Sequence, residues 1–149
     1  MFRKKLRTAY LFTDGAIGDG RGPAATGIVL RDERGRIIAI DWRRLPAMTN
    51  NEAEYAALLH GLEVAQEHHY QIVHCYMDSE VVVGQMKGRF SVHSSRLKFW
   101  HQRAVAAARA FQQLTFTAIP RERNKLADAL ANEVFNPWPP ASASKHKFI

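Results

Sequence analysis

The stretch YQIVHCYMD, Tyr70 to Asp78, decides the fold. Its β-branched and aromatic residues favour a strand. It is too apolar to alternate cleanly, so burial on both faces is expected. Upstream lies TNNEAEYAALLHGLEVA, Thr49 to Ala65, inside a predicted helix from about Asn50 to His68. Downstream, SEVVVGQMKG reads as a short helix. A strand set between two helices implies crossover connections and parallel pairing. Further out, RTAYLFTDG, TGIVLRD and IIAIDWRRL read as three strands of a meander, the first ending at Asp14. GAIGDGRGPAAT is a glycine-rich loop and ERGR a turn. Beyond RFSVHSS, a helix is expected over about Ser95–Gln113, then the strand LTFTAIP and the helix NKLADALANEV. The order predicts an α/β domain. Its five-stranded mixed sheet has a three-strand antiparallel meander and two crossover strands, flanked by about four helices.

Composition narrows the class. The 149 residues suit one domain over residues 1–135, followed by a Pro-, Ala- and Ser-rich tail over 136–149 that is expected to be partly mobile. No apolar run approaches the roughly 18–20 residues of a membrane span. MFRKKLRTAYLF leads into TDG without a small-residue cleavage site, so no signal peptide is expected. Cys75 is the one cysteine, which excludes an intramolecular disulfide and fits a cytoplasmic location. A formal net charge of +7 and a pI near 9.9 suit a nucleic-acid partner. A monomer is the expectation.

Four carboxylates stand out by position. Asp14 and Asp78 end apolar strands, where ligands gather in open α/β sheets. Glu54 heads a helical stripe of Ala57, Leu58, Gly61, Leu62 and Ala65, and Asp128 interrupts the apolar run LADALA. Singly, an acid at a strand end is a turn residue, and an acid in a helix is usually solvated. Four brought together would repel and raise each other's pKa unless cations sit between them. Hard oxygen ligands suit Mg²⁺ or Mn²⁺. Thr49-x-x-Glu52 is a capping box, which assigns Glu52 to the helix start and leaves Glu54 for chemistry. Asn124 is a fair N-cap for the last helix and puts Asp128 about one turn in.

FTDGA, TNNEAEYAAL, YMDSEVVVGQM and RERNKLADALA occur in an order and spacing that resembles type 1 ribonuclease H, over about residues 8 to 135. The resemblance implies the ribonuclease H-like fold and an endonuclease that cleaves the RNA strand of RNA–DNA hybrids. It implies that Asp14, Glu54, Asp78 and Asp128 hold two divalent ions, Mg²⁺ or Mn²⁺, with Asp14 bridging both. One ion would acidify a bound water and the other stabilise the leaving 3′ oxygen, clamping an in-line displacement from about 4 Å apart. A 5′-phosphate and a 3′-hydroxyl are the implied products. Substrate contacts carried over by the resemblance are Asn51 with neighbouring Asn50 in the hybrid minor groove, Gly15 and Ser79 near the RNA 2′-hydroxyls, Thr49 at a DNA phosphate, and Trp100 in a DNA-binding channel. Thr49 is also an N-cap, and a tryptophan on a long helix is more often core.

Three departures from the family pattern stand out. The long basic protrusion of many bacterial members is absent, with only RFSVHSSRLKF in its place. Affinity must then come from residues such as those of FRKKLR, Arg43, Arg44, Lys87, Arg89, Arg96 and Lys98. GDGRG lacks the Lys-Ser/Thr ending of a P-loop. The loop IPRERN has no histidine; Arg121 stands there, with Arg123 as a rival, and arginine cannot shuttle protons at neutral pH. A catalytically idle binding module of the same fold, or a nuclease of this fold acting on another nucleic acid, are the competing readings.

Overall fold

The computed structural model describes residues 5–18, 22–133 and 135, together with the backbone of 145–148. Five strands and four helices follow the predicted order: β1 (Thr8–Ile17), β2 (Ala24–Asp32), β3 (Ile37–Leu45), α1 (Asn50–Glu67), β4 (Ile72–Met77), α2 (Glu80–Met86), α3 (Ser95–Ala108), β5 (Gln113–Ala118) and α4 (Lys125–Glu133). A three-residue 3₁₀ turn, Arg121–Arg123, precedes α4. β1 pairs antiparallel with β2 and parallel with β4; β2–β3 is antiparallel and β4–β5 parallel. This is the expected meander with two crossover strands. A sixth strand, β6 (Lys145–Phe148), pairs antiparallel with the outer edge of β3 through Ile40–Arg43. It lies in the segment read as a tail; most of that segment, like the tip of the glycine-rich loop and the first four residues, falls outside the described residues.

The core lies between the sheet and α1, α2 and α3, where Leu11, Ile28, Leu30, Tyr55, Leu58, Leu62, Val73, Met77 and Val82 are buried. A smaller cluster of Val29, Ala127 and Leu130 seats α4 on the opposite face. Two glycines set how closely the helices approach. A Cβ on Gly15 would lie 2.3 Å from the backbone of Ala53 in α1, and one on Gly27 2.2 Å from the carbonyl oxygen of Ala127 in α4. Both helices therefore press directly on the β1–β2 pair.

Three expectations are corrected. β4 alternates: Val73, Cys75 and Met77 are buried while Ile72, His74 and Tyr76 are half-buried. Its outer face carries Tyr76 stacked on Phe12, with centroids 5.1 Å apart, so aromatic residues give an apolar composition to a face that still meets solvent. β1 does not stop at Asp14. Parallel pairing with β4 ends at Phe12, but the ladder with β2 continues to Ile17↔Ala24 and holds the chain extended. α3 ends at Ala108 because Arg109, Ala110 and Phe111 each bond the carbonyl three residues back, tightening the last turn. The Gln112 N–H then bonds the Gln71 carbonyl and hands the chain to β5.

Candidate active site

α1 starts where the sequence says it should. The Thr49 hydroxyl accepts the Glu52 N–H at 3.2 Å, and the Glu52 carboxylate accepts the Thr49 N–H at 3.1 Å. Such a reciprocal cap is worth about 1 kcal/mol. It fixes Glu54 in the opening turn, facing the sheet and 6% exposed. Its Oε1 accepts the Gly15 N–H at 2.7 Å. Asp14, one residue earlier on β1, is 5% exposed. Asp78 follows the last residue of β4. Carboxylate oxygens of Asp14, Glu54 and Asp78 lie within 4.8 Å of one another. Asp128, on α4, stands outside that group of three but beside Asp14 in the same cleft. Both the position of Asp14 beyond the end of its parallel pairing and that of Asp78 place the group at the carboxyl ends of the parallel strands.

This concentration of charge has a cost. Burial, then the charges of Glu54 and Asp78 and the neighbouring Asp128 carboxyl, push the pKa of Asp14 up to about 10. Burial, with Asp78 and Asp128 adding to it, raises Glu54 to about 7 against the opposing hydrogen bond from Gly15. An all-oxygen donor set whose members resist ionisation together fits a hard divalent cation, which would supply the missing positive charge.

A cleft of about 1010 Å³ opens over the four acids. Gly15, Asn50, Asn51, Ser79 and Arg121 line it as well. Ser79 is the N-cap of α2, its Oγ accepting the Val82 N–H at 3.2 Å. Arg121 Nη2 stands 3.6 Å from Asp128 Oδ1. Arg123 instead borders a separate small pocket with Phe12, Val29 and Arg31. Thr49 and Trp100 are not among the residues lining the cleft. Thr49 serves the helix cap, and the Trp100 indole N–H donates to Glu52 Oε2 at 2.9 Å, tying α3 to the start of α1. Asn124 does not cap α4 with its side chain. Its amide donates to the Thr13 carbonyl at 2.8 Å and pins the helix start to β1.

Two polar residues absent from the sequence reading also border the cleft, Glu80 and Asn132. The Asn132 amide donates to the Asp128 carbonyl at 2.8 Å and to Asp128 Oδ1 at 3.2 Å. Its spacing, four residues after Asp128 on one helix, is the signal that could have found it.

With this geometry in hand, the chain compares closely with known proteins. The family model described as reverse transcriptase-like matches residues 12–134. The ribonuclease HI of Halobacterium salinarum is 35% identical over 127 residues, covering 85% of this chain and 64% of that protein. The bifunctional protein Rv2228c of Mycobacterium tuberculosis is 36% identical over 125 residues, 34% of its own length. The chain thus spans under two thirds of these curated relatives. Solved structures are similar over nearly their full extent. The crystal structure of ribonuclease H1 from Halobacterium salinarum superposes with a TM-score of 0.83 at 34% identity, covering 86% of this chain and 97% of that one. The LC11 ribonuclease H1 in complex with an RNA/DNA hybrid superposes with a TM-score of 0.79 at 35% identity, covering 84% and 94%.

Proposed function

Because the chain belongs to the type 1 ribonuclease H family, we propose that it is an endonuclease that hydrolyses the RNA strand of RNA–DNA hybrids, leaving a 5′-phosphate and a 3′-hydroxyl. The observation that carries this reading is the convergence of Asp14, Glu54 and Asp78 from three separate elements on one cleft. A structural role does not require three acids to face each other at the cost of their own ionisation.

Asp14, Glu54, Asp78 and Asp128 would hold Mg²⁺ or Mn²⁺, two ions per site. When bound, such ions supply positive charge against the attacking and departing oxygens of an in-line displacement at phosphorus. The chain's own residues do the rest. Gly15 fixes Glu54 through its N–H, so the carboxylate meets the substrate already oriented. Asn132 holds Asp128 by Oδ1, and the Asp128 carboxyl also neighbours that of Asp14. Asn50 and Asn51, at the mouth of the cleft, offer both donors and acceptors for base edges and sugars. Gly15 and Ser79 line the cleft and would border the RNA sugar, where a 2′-hydroxyl distinguishes RNA from DNA. Arg121, a guanidinium lining the cleft beside Asp128, would draw the departing phosphate toward solvent.

The test is a cleavage assay with Mg²⁺ and with Mn²⁺ on labelled RNA–DNA hybrid, double-stranded RNA and double-stranded DNA. Cutting confined to the RNA of the hybrid is expected. An intact hybrid with both metals overturns the proposal, and cutting of DNA alone would move the chain to another substrate class. Among the described residues no helix is long and apolar enough to cross a membrane.

A further inference from the structure

The charge of this chain is unevenly placed. From Val81 to Arg121 there is no Asp or Glu, against seven Lys or Arg: Lys87, Arg89, Arg96, Lys98, Arg103, Arg109 and Arg121. This acid-free run contains α3, and the first half of α3 shows an aromatic surface. Phe99 is 56% exposed. The Arg103 guanidinium lies over the rings of both Phe99 and Trp100, 5.4 and 5.3 Å from their centroids. The two rings meet edge to face, 84° apart with centroids separated by 6.0 Å. The spacings, i to i+4 and i to i+3, are those that bring helical side chains together.

Trp100 is the fixed part of this group. Its N–H is held by Glu52, and Arg103 covers a face. The same Glu52 accepts from Thr49 and pairs with Arg96 at 3.8 Å, and Glu63 of α1, which lines a pocket with Trp100 and Arg103, pairs with Arg43 at 2.8 Å, so both acids by the patch are already engaged. The patch is therefore continuous with the α1 cap, and the next residues of that cap, Asn50 and Asn51, border the catalytic cleft.

We propose that Phe99 and Arg103 form a preassembled platform on α3 that binds the sugar–phosphate strand of the substrate duplex beyond the cleft, with Trp100 as its anchor rather than its contact surface. This rests on the ribonuclease reading only in naming an RNA–DNA hybrid as the ligand. Charge complementarity argues for a polyanion: α2 after Glu80, α3 and β5 carry no carboxylate, and Glu63, the α1 acid that shares a pocket with Arg103, is paired with Arg43. The exposed ring argues for a nucleic acid strand, whose sugars pack against an aromatic face where a simple anion does not. Arg103, kept in place by two rings, meets a phosphate with less ordering to undergo than a free surface arginine.

The experiment measures binding of a short fluorescein-labelled RNA–DNA hybrid by anisotropy across a salt series, and steady-state cleavage of the same hybrid. Phe99→Ala and Arg103→Ala should each weaken binding roughly tenfold, Phe99→Tyr should restore it, and the loss in cleavage should fall on KM. For Arg103→Ala the slope of log affinity against log salt should become shallower by about one. Affinity and salt slope unchanged in both alanine variants overturn the platform, as does a loss confined to kcat. If the wild type binds the hybrid but fails to cut it, the ribonuclease reading falls while the binding comparison still decides the platform.

Discussion

Helix α1 presses two buried charged groups against the sheet, six residues apart, and they are built in opposite ways. At its start, Glu54 meets Asp14, Asp78 and Asp128, and among the described residues the one cation paired with any of them is Arg121 at the edge. Two turns on, His60 is 2% exposed and meets Asp41, which is fully buried. There the accounts close. His60 Nε2 and Asp41 Oδ2 are 2.8 Å apart, His60 Nδ1 and the Thr26 hydroxyl 2.7 Å, and Asp41 Oδ1 accepts the Trp42 N–H at 3.1 Å. A neutral imidazole that donates to Asp41 and accepts from Thr26 satisfies every polar atom of the ring. Burial of charge is common to both groups and so does not mark function. What separates them is whether the chain supplies the compensating partner.

The sharpest way to break the comparison is to remove charge from each group. Asp14→Asn or Glu54→Gln should lower turnover by at least about 10²-fold, the scale for losing one electrostatic stabiliser of a transition state. The same variants should melt higher than the wild type in EDTA, because they relieve repulsion. Full activity in either variant would remove that residue from the site. His60→Ala should behave in reverse. It leaves Asp41 buried without its partner and should cost about 3 kcal/mol in a urea titration, with turnover retained while the protein is folded. A loss of turnover without loss of stability would give His60 a role in the cleft and erase the distinction.

Much of this was legible in the chain, and the pattern of what was not has a physical cause. Glu54 stood out because it breaks an apolar stripe, and the Thr49–Glu52 box fixed its register; both signals lie within one helix. Strand order followed from the alternation of strand and helix along the chain. The His60–Asp41–Thr26 group could not be found that way, since its members lie 19 and 34 residues apart and each alone is an unremarkable polar residue. The end of β1 was misplaced because pairing with β2, not local propensity, extends it past Asp14. The faces of β4 were misjudged because Tyr76 and His74 look apolar in a run yet sit on the open side. β6 was missed because Pro- and Ala-rich flanks hide a four-residue strand that forms only against the β3 edge.

Smaller effects test how the acidic group is held. Asn132→Ala should weaken Mn²⁺ binding, read by calorimetry, by about tenfold, the usual scale for losing a residue that orients a metal ligand. Unchanged binding would leave the Asn132–Asp128 contact a helix-surface detail. Arg121→Ala should lower kcat by roughly fivefold, the worth of one exposed charge contact, and leave Mn²⁺ affinity intact. If the rate is unchanged, the departing phosphate is not drawn by Arg121.

The pH dependence of the metal-free protein sets the two groups directly against each other. Glu54 is raised to about 7 and Asp14 to about 10, so their contribution is fully present below the ordinary carboxylate range and is lost as pH rises through those values. His60 is shifted the other way. Burial lowers its pKa against the pull of Asp41, so its contribution is present above the ordinary imidazole value and is lost as pH falls through the folded one. Between about pH 5 and 7 the two slopes oppose, and the melting temperature of the wild type in EDTA should change by only about 2 °C. The Asp14→Asn, Glu54→Gln double variant should gain stability across that interval, and His60→Gln should lose it, each by a few degrees. Parallel slopes in the two variants would mean that the groups are not opposed. Added Mg²⁺ should raise the melting temperature of the wild type most at the alkaline end, where the carboxylates are charged and ready to bind it, and should leave the double variant unmoved.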